Sequence, residues 1–255
     1  MSAGTYTPAP GAAPLTRMIT AQAAFETRML LRNGEQLLLT VIIPALLLAL
    51  FSTVDIVDTG SGPAVDFLAP GVLALAVMST AFTGQAIATG FERRYGVLKR
   101  LGASPIPRWA LMTAKTLSVL VTEVLQVALL TVIAFALGWS PHGNPLYVVL
   151  LLVLGTAAFS GLGLLMAGTL KAEATLAAAN LVFLLLLVGG GVIVPLDKFP
   201  GAVATALGWL PISALSDGLR DVLQHGAGMP WGNLGILALW AVLGLGAAAR
   251  TFRWE

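Results

Sequence analysis

Six long apolar stretches, separated by short polar segments, constrain the fold of this chain more than any other feature of its sequence. A helix needs about 20 mostly apolar residues to cross the hydrocarbon core of a bilayer. Of the 255 residues, 57% are hydrophobic and 10% are charged, whereas soluble domains average about 25% charged residues. The sequence therefore predicts an all-α integral membrane protein with six transmembrane helices, at about 36–53, 67–88, 111–137, 146–170, 176–195 and 233–249.

Basic residues orient these predicted spans. Twelve of the lysines and arginines fall on one side of the set, and only Lys198 and Arg220 fall on the other. The positive-inside rule places the side with the twelve in the cytoplasm. An even number of spans brings both termini to that side, so we predict a multi-pass protein of the cell membrane, in contact with the lipid bilayer, with both termini cytoplasmic.

The chain begins with two segments outside the six-span domain of residues 36–255. Residues 1–14 are small, proline-rich and uncharged, which is typical of a disordered tail. Residues 15–35 alternate apolar and charged residues near helical spacing, which predicts an amphipathic helix lying in the cytoplasmic membrane interface. A solvated amphipathic helix is the alternative.

Two further stretches suggest how the spans pack. The fourth span is rich in small residues, which let helix backbones approach closely in lipid; they include Gly155, Ser160, Gly161, Gly163 and Gly168. Residues 197–231 are too polar to span fully and too apolar for a free loop, and they divide at Pro211. They predict a re-entrant helical hairpin between spans five and six, with Ser216, Asp217 and Arg220 on its polar face. A plain surface helix is the alternative.

Glu123 lies near the middle of the third predicted span. A carboxylate at the bilayer centre costs about 2.5–3.5 kcal/mol, so Glu123 must face protein or water, or be protonated. One interpretation is a transport pathway or protonatable site lined by Gln85, Glu123, Gln126 and Asn180. The other is an interhelical hydrogen bond from Glu123 to Gln85 or Asn180.

Other chemistries find little support in the sequence. Cysteine is absent, and the two histidines, His142 and His225, belong to different predicted loops, so no metal site is expected. No G-x-x-x-x-G-K-[ST] phosphate loop occurs. A net charge of +2 gives no reason to expect a nucleic-acid partner. We therefore expect no cofactor to be bound by this chain, and any ATP would be bound by another.

The run FERRYGVLKRLGASPIPRWA, residues 91–110, is the one long charged segment of the chain. Phe91, Tyr95 and Leu98 recur at helical spacing, and Pro105 and Pro107 would end a helix. We predict a short amphipathic helix on the cytoplasmic side. The alternative is a solvated loop whose arginines meet lipid phosphates.

This run, through Glu92, Gly96, Leu98, Lys99, Arg100, Leu101, Ser104, Pro105 and Arg108, resembles the permease subunits of type-2 ATP-binding-cassette (ABC) exporters of drugs, lipids or polysaccharides. A second similarity covers Gly191-Val192, Pro195-Leu196, Phe199-Pro200, Pro211 and Asp217-Gly218-Leu219-Arg220. Two features depart from the family pattern. Val97 stands where threonine is common, and Arg93-Arg94-Tyr95 is more basic than usual.

The resemblance implies a transport subunit that is not itself an enzyme. A separate ATPase subunit, carrying ATP and Mg²⁺, would dock on a coupling helix at 91–104, through Glu92, Arg93, Arg94, Tyr95, Gly96, Leu98, Lys99, Arg100 and Leu101. A second permease copy, in a homodimer or heterodimer, would complete the pathway for a lipophilic or amphiphilic cargo. The outer gate would comprise Pro195, Phe199, Pro211, Asp217 and Arg220. The rival hypothesis is an ion- or proton-coupled secondary transporter that uses Glu123.

Overall fold

A computed structural model of the chain describes residues 11–34, 38–53, 63–192 and 196–251, and it is all-helical within those ranges. The helices are α1 (Leu15–Arg32), α2 (Ile43–Thr53, preceded by a π-helical turn at Leu38–Ile42), α3 (Ala64–Arg94), α4 (Val97–Gly102), α5 (Arg108–Ala136), α6 (Pro145–Thr169), α7 (Ala172–Gly189), α8 (Gly201–Gly208), α9 (Pro211–Leu223) and α10 (Trp231–Thr251). A short 3₁₀ turn, Leu196–Lys198, precedes α8.

Among the described residues, five helices are long and apolar enough to cross a membrane: α3, α5, α6, α7 and α10. They correspond to the second to sixth predicted spans, so the prediction of an all-α integral membrane protein is confirmed. The first predicted span corresponds to α2 and its π-helical turn, which together are shorter than the other five. Its first two residues lie outside the described part of the chain, as do residues 1–10 of the predicted tail.

The N-terminal helix α1 is amphipathic and packs against α5. Met18 and Ile19 contact an apolar cluster at the base of the bundle, while Phe25 and Met29, further along the helix, are exposed. An exposed apolar stripe beside apolar spans fits the predicted interfacial helix better than a solvated one. The helix ends at Arg32, slightly earlier than the predicted boundary at residue 35.

The second-span helix α3 is the centre of the fold. Almost all of it is buried against α2, α5, α6, α7 and α9. Its middle, Met78–Gly84, is π-helical, and the α-helix resumes at Gln85 and continues to Arg94. The helix therefore reaches six residues beyond the predicted end of the span, and it includes the first part of the charged run.

Small residues bring α6 and α10 together, as the composition of the fourth span predicts. A Cβ atom added at Gly161 would lie 2.6 Å from the backbone nitrogen of Leu245, and one added at Gly244 would lie 3.1 Å from the backbone of Gly161. Such distances leave no room for side chains between the two helices. The prediction of a tight helix contact is confirmed.

The segment after the fifth span forms two helices, α8 and α9, which meet at an angle of 91°. The break falls immediately before Pro211, as predicted, since this proline begins α9. Most of α9 is buried against α3, α6 and α10, so a plain surface helix is wrong for this half. Ser216 and Arg220, predicted on a polar face, are buried because they bind backbone carbonyls inside the protein.

We predict that Gly161→Ala destabilises the protein, although alanine is the better helix former. The added methyl would collide with the α10 backbone, and overpacking of this kind costs about 1–3 kcal/mol. The matched control is Gly235→Ala on α10, where an added Cβ meets open space. Thermal unfolding in detergent should show a lower midpoint for Gly161→Ala and an unchanged or higher one for the control. Equal midpoints for the two variants would contradict the close packing.

Candidate functional site

The charged run folds as a bent elbow, which we define as residues 91–102. Its first residues, Phe91–Arg94, complete the last turn of α3, and Tyr95 and Gly96 form a tight turn before α4. Gly96 has φ +72°, a left-handed conformation that strongly favours glycine. The predicted single amphipathic helix through residue 101 is therefore wrong, because a turn at Tyr95 and Gly96 interrupts it.

The elbow has an inner and an outer face. Leu98 is fully buried in the apolar cluster with Ile106 and Leu111, and Leu101 packs on its edge. The outer face carries Tyr95, which is 69% exposed and stacks on Phe91. It also carries three further exposed residues, Val97, Lys99 and Arg100. The exposed surface of the elbow thus includes one aromatic, one aliphatic and two basic side chains, besides Arg94.

Glu92 is turned inward, where it joins an ion cluster with Lys115 of α5 and Glu26 of α1. The Lys115 ammonium nitrogen lies 2.7 Å from the Glu92 carboxylate and 2.9 Å from that of Glu26, and its side chain is 3% exposed. Lysine is well suited to this position because its ammonium group donates three hydrogen bonds. The cluster joins three helices at the basic end of the bundle.

Two arginines of the elbow are also engaged within the chain. Arg93 donates a hydrogen bond to the carbonyl of Leu170, in the turn between α6 and α7. Arg94 pairs with Glu173 in the first turn of α7. These contacts connect the elbow to the other short loop at the same end of the bundle. Glu92, Arg93, Arg94 and Leu98, all predicted to couple to an ATPase, thus have structural partners within this chain.

A small polar cavity lies beside the ion cluster, with a volume of about 20 Å³. Its lining includes Glu26, Lys115, Gln85 and Thr89. Both amide atoms of Gln85 and the hydroxyl of Thr89 are buried and lack a protein partner in the described structure. A cavity of this size holds about one water molecule. Gln85, predicted to line a pathway, lines this water-sized space.

Glu123 and Gln126 make separate contacts between helices. The Glu123 side chain is 4% exposed and accepts a hydrogen bond from the Thr156 hydroxyl of α6. Gln126 accepts from the Thr80 hydroxyl of α3 at 3.0 Å and donates to the backbone carbonyl of Thr40. The interhelical hydrogen bond expected of Glu123 therefore exists, but its partner is Thr156; the assignment to Gln85 or Asn180 is wrong.

The four predicted pathway residues do not converge on one cavity. Asn180 is on the exposed side of α7 and donates to the Leu176 carbonyl of its own helix, at 2.9 Å. Gln85 faces the basic end of the bundle, whereas Glu123 and Gln126 stabilise contacts of α5 with its neighbours. Within a single chain, Glu123 and Gln126 therefore hold helices together, and the four residues do not enclose an open channel.

At the opposite end, Arg220 clamps the segment that follows the fifth span. Its guanidinium donates to the carbonyls of Gly191 and Val192, at 2.6 and 2.7 Å, and stands 4.0 Å from the ring centre of Phe67. Gly71 leaves room for it, since a Cβ there would lie 2.9 Å from the guanidinium. Carbonyls beyond the end of a helix lack intrahelical donors, and a cation near a helix C-terminus is favourable.

The other predicted gate residues have less central positions. Asp217 lies 3.4 Å from Arg220 and is partly exposed. Pro211 is buried at the start of α9, and Phe199 is half-buried before α8. Pro195 lies outside the described residues. Of this set, the structure brings Arg220 and Asp217 together.

Sequence reasoning missed several partners that organise these contacts. Lys115 is one of the twelve basic residues that the sequence places on the cytoplasmic side, and its position suggests more. A lysine one turn inside an apolar span requires a buried counter-ion. Glu26 and Thr156 had no distinguishing pattern, because an amphipathic helix and a small-residue span both contain such residues routinely. The need for a partner could be predicted from sequence, but the identity of the partner depends on how the helices are arranged.

No group of three or more histidine, aspartate or glutamate side chains suited to a metal ion occurs within the described ranges.

A family model described as ABC-2 family transporter protein matches residues 58–250, which is well over half of the chain. The match includes the elbow, the ion-cluster residues of α3 and α5, and the Arg220 clamp. No curated protein matches the sequence.

We predict that Lys115→Met destabilises the protein, because it leaves the carboxylates of Glu26 and Glu92 close together without a cation. Removing one partner of a buried ion pair costs about 3–5 kcal/mol. We expect a loss near the lower of these values, because the Glu92 side chain is still partly exposed to solvent. A lower thermal unfolding midpoint in nanodiscs would report this loss.

The matched control for Lys115→Met is Lys171→Met, an exposed lysine at the same end of the bundle. The triple variant Glu26→Gln, Lys115→Met, Glu92→Gln removes every charge and should recover much of the lost stability. If Lys115→Met unfolds at the same temperature as Lys171→Met, the ion cluster does not stabilise the fold.

We predict that Arg220→Met lowers stability by several kcal/mol, since two buried carbonyls lose their donors at about 1–3 kcal/mol each. Arg220→Lys should recover only part, because a single ammonium group cannot reproduce the planar guanidinium fork. Asp217→Asn is the control and should have a small effect, since this side chain is partly exposed. Thermal unfolding of the three variants provides the measurement. An Asp217→Asn effect as large as that of Arg220→Met would contradict the clamp.

Proposed function

We infer the role of this chain from its family: it belongs to the ABC-2 transporter family and is a multi-pass membrane permease subunit of an ABC transporter. We propose that it exports its cargo outward, powered by a separate ATP-binding-cassette ATPase that docks on the elbow. The proposed location is the cell membrane, with both termini cytoplasmic, since twelve of the fourteen basic residues lie at the elbow end of the predicted spans.

The observation that best supports this docking site is the rigid attachment of the elbow. Tyr95, Val97, Lys99 and Arg100 present an exposed surface, while the residues beside them bind α1, α5 and the turn between α6 and α7. A partner that displaces this surface therefore moves several helices together. A solvated loop would absorb the same displacement by bending.

The pathway is proposed to form between two permease copies. The polar cavity within one chain has a volume of about 20 Å³, which is too small for anything larger than water. Two copies would enclose a larger space between their apolar surfaces, which suits a lipophilic or amphiphilic cargo. The bent pair α8 and α9, anchored by Arg220, would form the outer gate, where the 91° break between the helices gives α8 freedom to move.

One observation favours the rival hypothesis of a proton-coupled transporter. One carboxylate oxygen of Glu123 is buried without a partner in the described structure, so this side chain could hold a transferable proton. The two mechanisms differ in what drives transport. Uptake into inverted vesicles that requires ATP and the ATPase supports the exporter, whereas transport driven by a pH gradient alone, and abolished by Glu123→Gln, supports the rival.

We predict that Arg100→Glu uncouples the transporter. Reversing a charge on the docking surface opposes the acidic contacts that two basic residues would need in the ATPase, and like-charge contacts at interfaces cost several kcal/mol. We expect at least about tenfold weaker capture of the ATPase, with ATP-driven transport reduced in proportion. Co-purification from detergent, followed by transport in proteoliposomes, measures both quantities.

The matched control for Arg100→Glu is Lys198→Glu, the same type of charge reversal at an exposed site near the Arg220 clamp, at the other end of the bundle. It should leave ATPase capture unchanged. Normal ATPase capture and transport by Arg100→Glu would reject the elbow as the docking surface.

A further inference from the structure

A concave groove lies between the beginning of α5 and the end of α10. Its volume is about 390 Å³, and its walls are Trp109, Met112, Thr113, Thr116 and Leu117 on α5 and Leu245, Gly246 and Ala249 on α10. This volume falls within the range of ligand-binding pockets. Gly246 leaves an open hollow in this groove, with no atom within 4 Å of where its Cβ would be.

The groove lies at the basic end of the bundle. Trp109 is 51% exposed at its rim, and tryptophan concentrates at the boundary between headgroups and acyl chains. Arg250 is on the same face as Gly246, one turn further along α10, and Arg108 stands one turn before Met112 on α5. Both arginines are exposed. Helical spacing thus places one arginine from each of the two helices at the rim of the apolar hollow, next to the residues that line it.

A polar group lies inside the otherwise apolar walls. The Thr116 hydroxyl is buried and has no partner in the described structure, whereas the Thr113 hydroxyl donates to the Trp109 carbonyl at 2.9 Å. Thr116 is eight residues from Arg108, or about 12 Å along the helix axis. A ligand that spans this groove needs an anionic group at the rim, a hydrogen-bond acceptor below it and an apolar chain.

From this geometry, we propose that the groove binds one anionic phospholipid from the leaflet at the basic end of the protein. Its phosphate lies beside Arg108 and Arg250, an ester carbonyl accepts from Thr116, and an acyl chain fills the hollow at Gly246. A helix of a partner protein would need a longer, open-ended channel. The site is independent of the cargo and of the direction of transport proposed above.

The test uses a photoactivatable phosphatidylglycerol in nanodiscs, with a photoactivatable phosphatidylcholine as the neutral comparison. Labelled peptides are quantified by mass spectrometry on the full-length protein. We expect labelling of the α5 and α10 groove segments, at least about fivefold stronger for phosphatidylglycerol, since each basic residue near an anionic headgroup contributes about 1 kcal/mol.

Two pairs of variants complete the test. Gly246→Leu fills the hollow and should reduce labelling at least about tenfold, because it displaces several methylene groups of the chain. Its control, Gly235→Leu, adds the same side chain to an open position of α10 outside the groove. Arg108→Gln with Arg250→Gln should abolish the preference for phosphatidylglycerol, whereas Lys171→Gln should preserve it.

Three outcomes would overturn the proposal. Equal labelling by both lipids would show that the groove does not prefer an anionic headgroup. Unchanged labelling of Gly246→Leu, with its fold verified by an unfolding midpoint equal to that of Gly235→Leu, would show that no chain occupies the hollow. Crosslinks from the groove to a second copy of this chain, or to the ATPase, in place of lipid would show that a protein covers it.

Discussion

The ammonium group of Lys115, shared by two carboxylates, is the contact on which the basic end of this protein depends. Glu26 links the N-terminal helix to this ammonium group, and Glu92 links the end of the second-span helix to it. Separating any of these elements would leave charge poorly solvated between apolar helices, which is strongly unfavourable. The N-terminal helix is therefore an integral part of the bundle, and the elbow is attached to it at short range.

The polar contacts vary with their position along the bundle. At the two ends, charged groups bind carboxylates or backbone carbonyls, through Lys115 at one end and Arg220 at the other. In the middle, most of the contacts use neutral hydroxyl and amide groups, as between Thr80 and Gln126. This arrangement follows the cost of burying charge, which is greatest at the centre of a membrane. Glu123 is the exception, since its carboxyl group is buried in the middle of α5, where it accepts a hydrogen bond from Thr156.

Much of the fold follows from local sequence signals. Apolar length predicts the second to sixth spans, the small residues near Gly161 predict the close contact of α6 with α10, and Pro211 predicts the break between α8 and α9. These signals act within one helix or one turn, so they can be recognised without knowledge of the fold. The elbow shows the limit of such reasoning: its apolar spacing fits one helix, but Gly96 adopts a left-handed conformation that interrupts the helix before Leu98.

Partners were harder to predict than elements. Each buried polar group requires a donor or acceptor, but many side chains satisfy that requirement equally well on sequence grounds. Thr156 was not anticipated for Glu123, and Asn180, a stronger hydrogen-bonding group, bonds within its own helix. Which polar groups meet depends on helix rotation, and rotation is decided by the packing of the whole bundle. Site predictions based on residue type alone therefore identified where polar groups are needed and misassigned their contacts.

The π-helical stretch Met78–Gly84 gives the second-span helix an additional property. A π turn holds about one more residue than an α turn, so converting this stretch to α-helix would rotate the two halves of α3 by roughly 100° relative to each other. The Phe67 half is bound to the Arg220 clamp and the Glu92 half to the ion cluster. A change of register by one residue in the middle of α3 would thus couple the two ends of the helix, because it would rotate the Phe67 half relative to the Glu92 half.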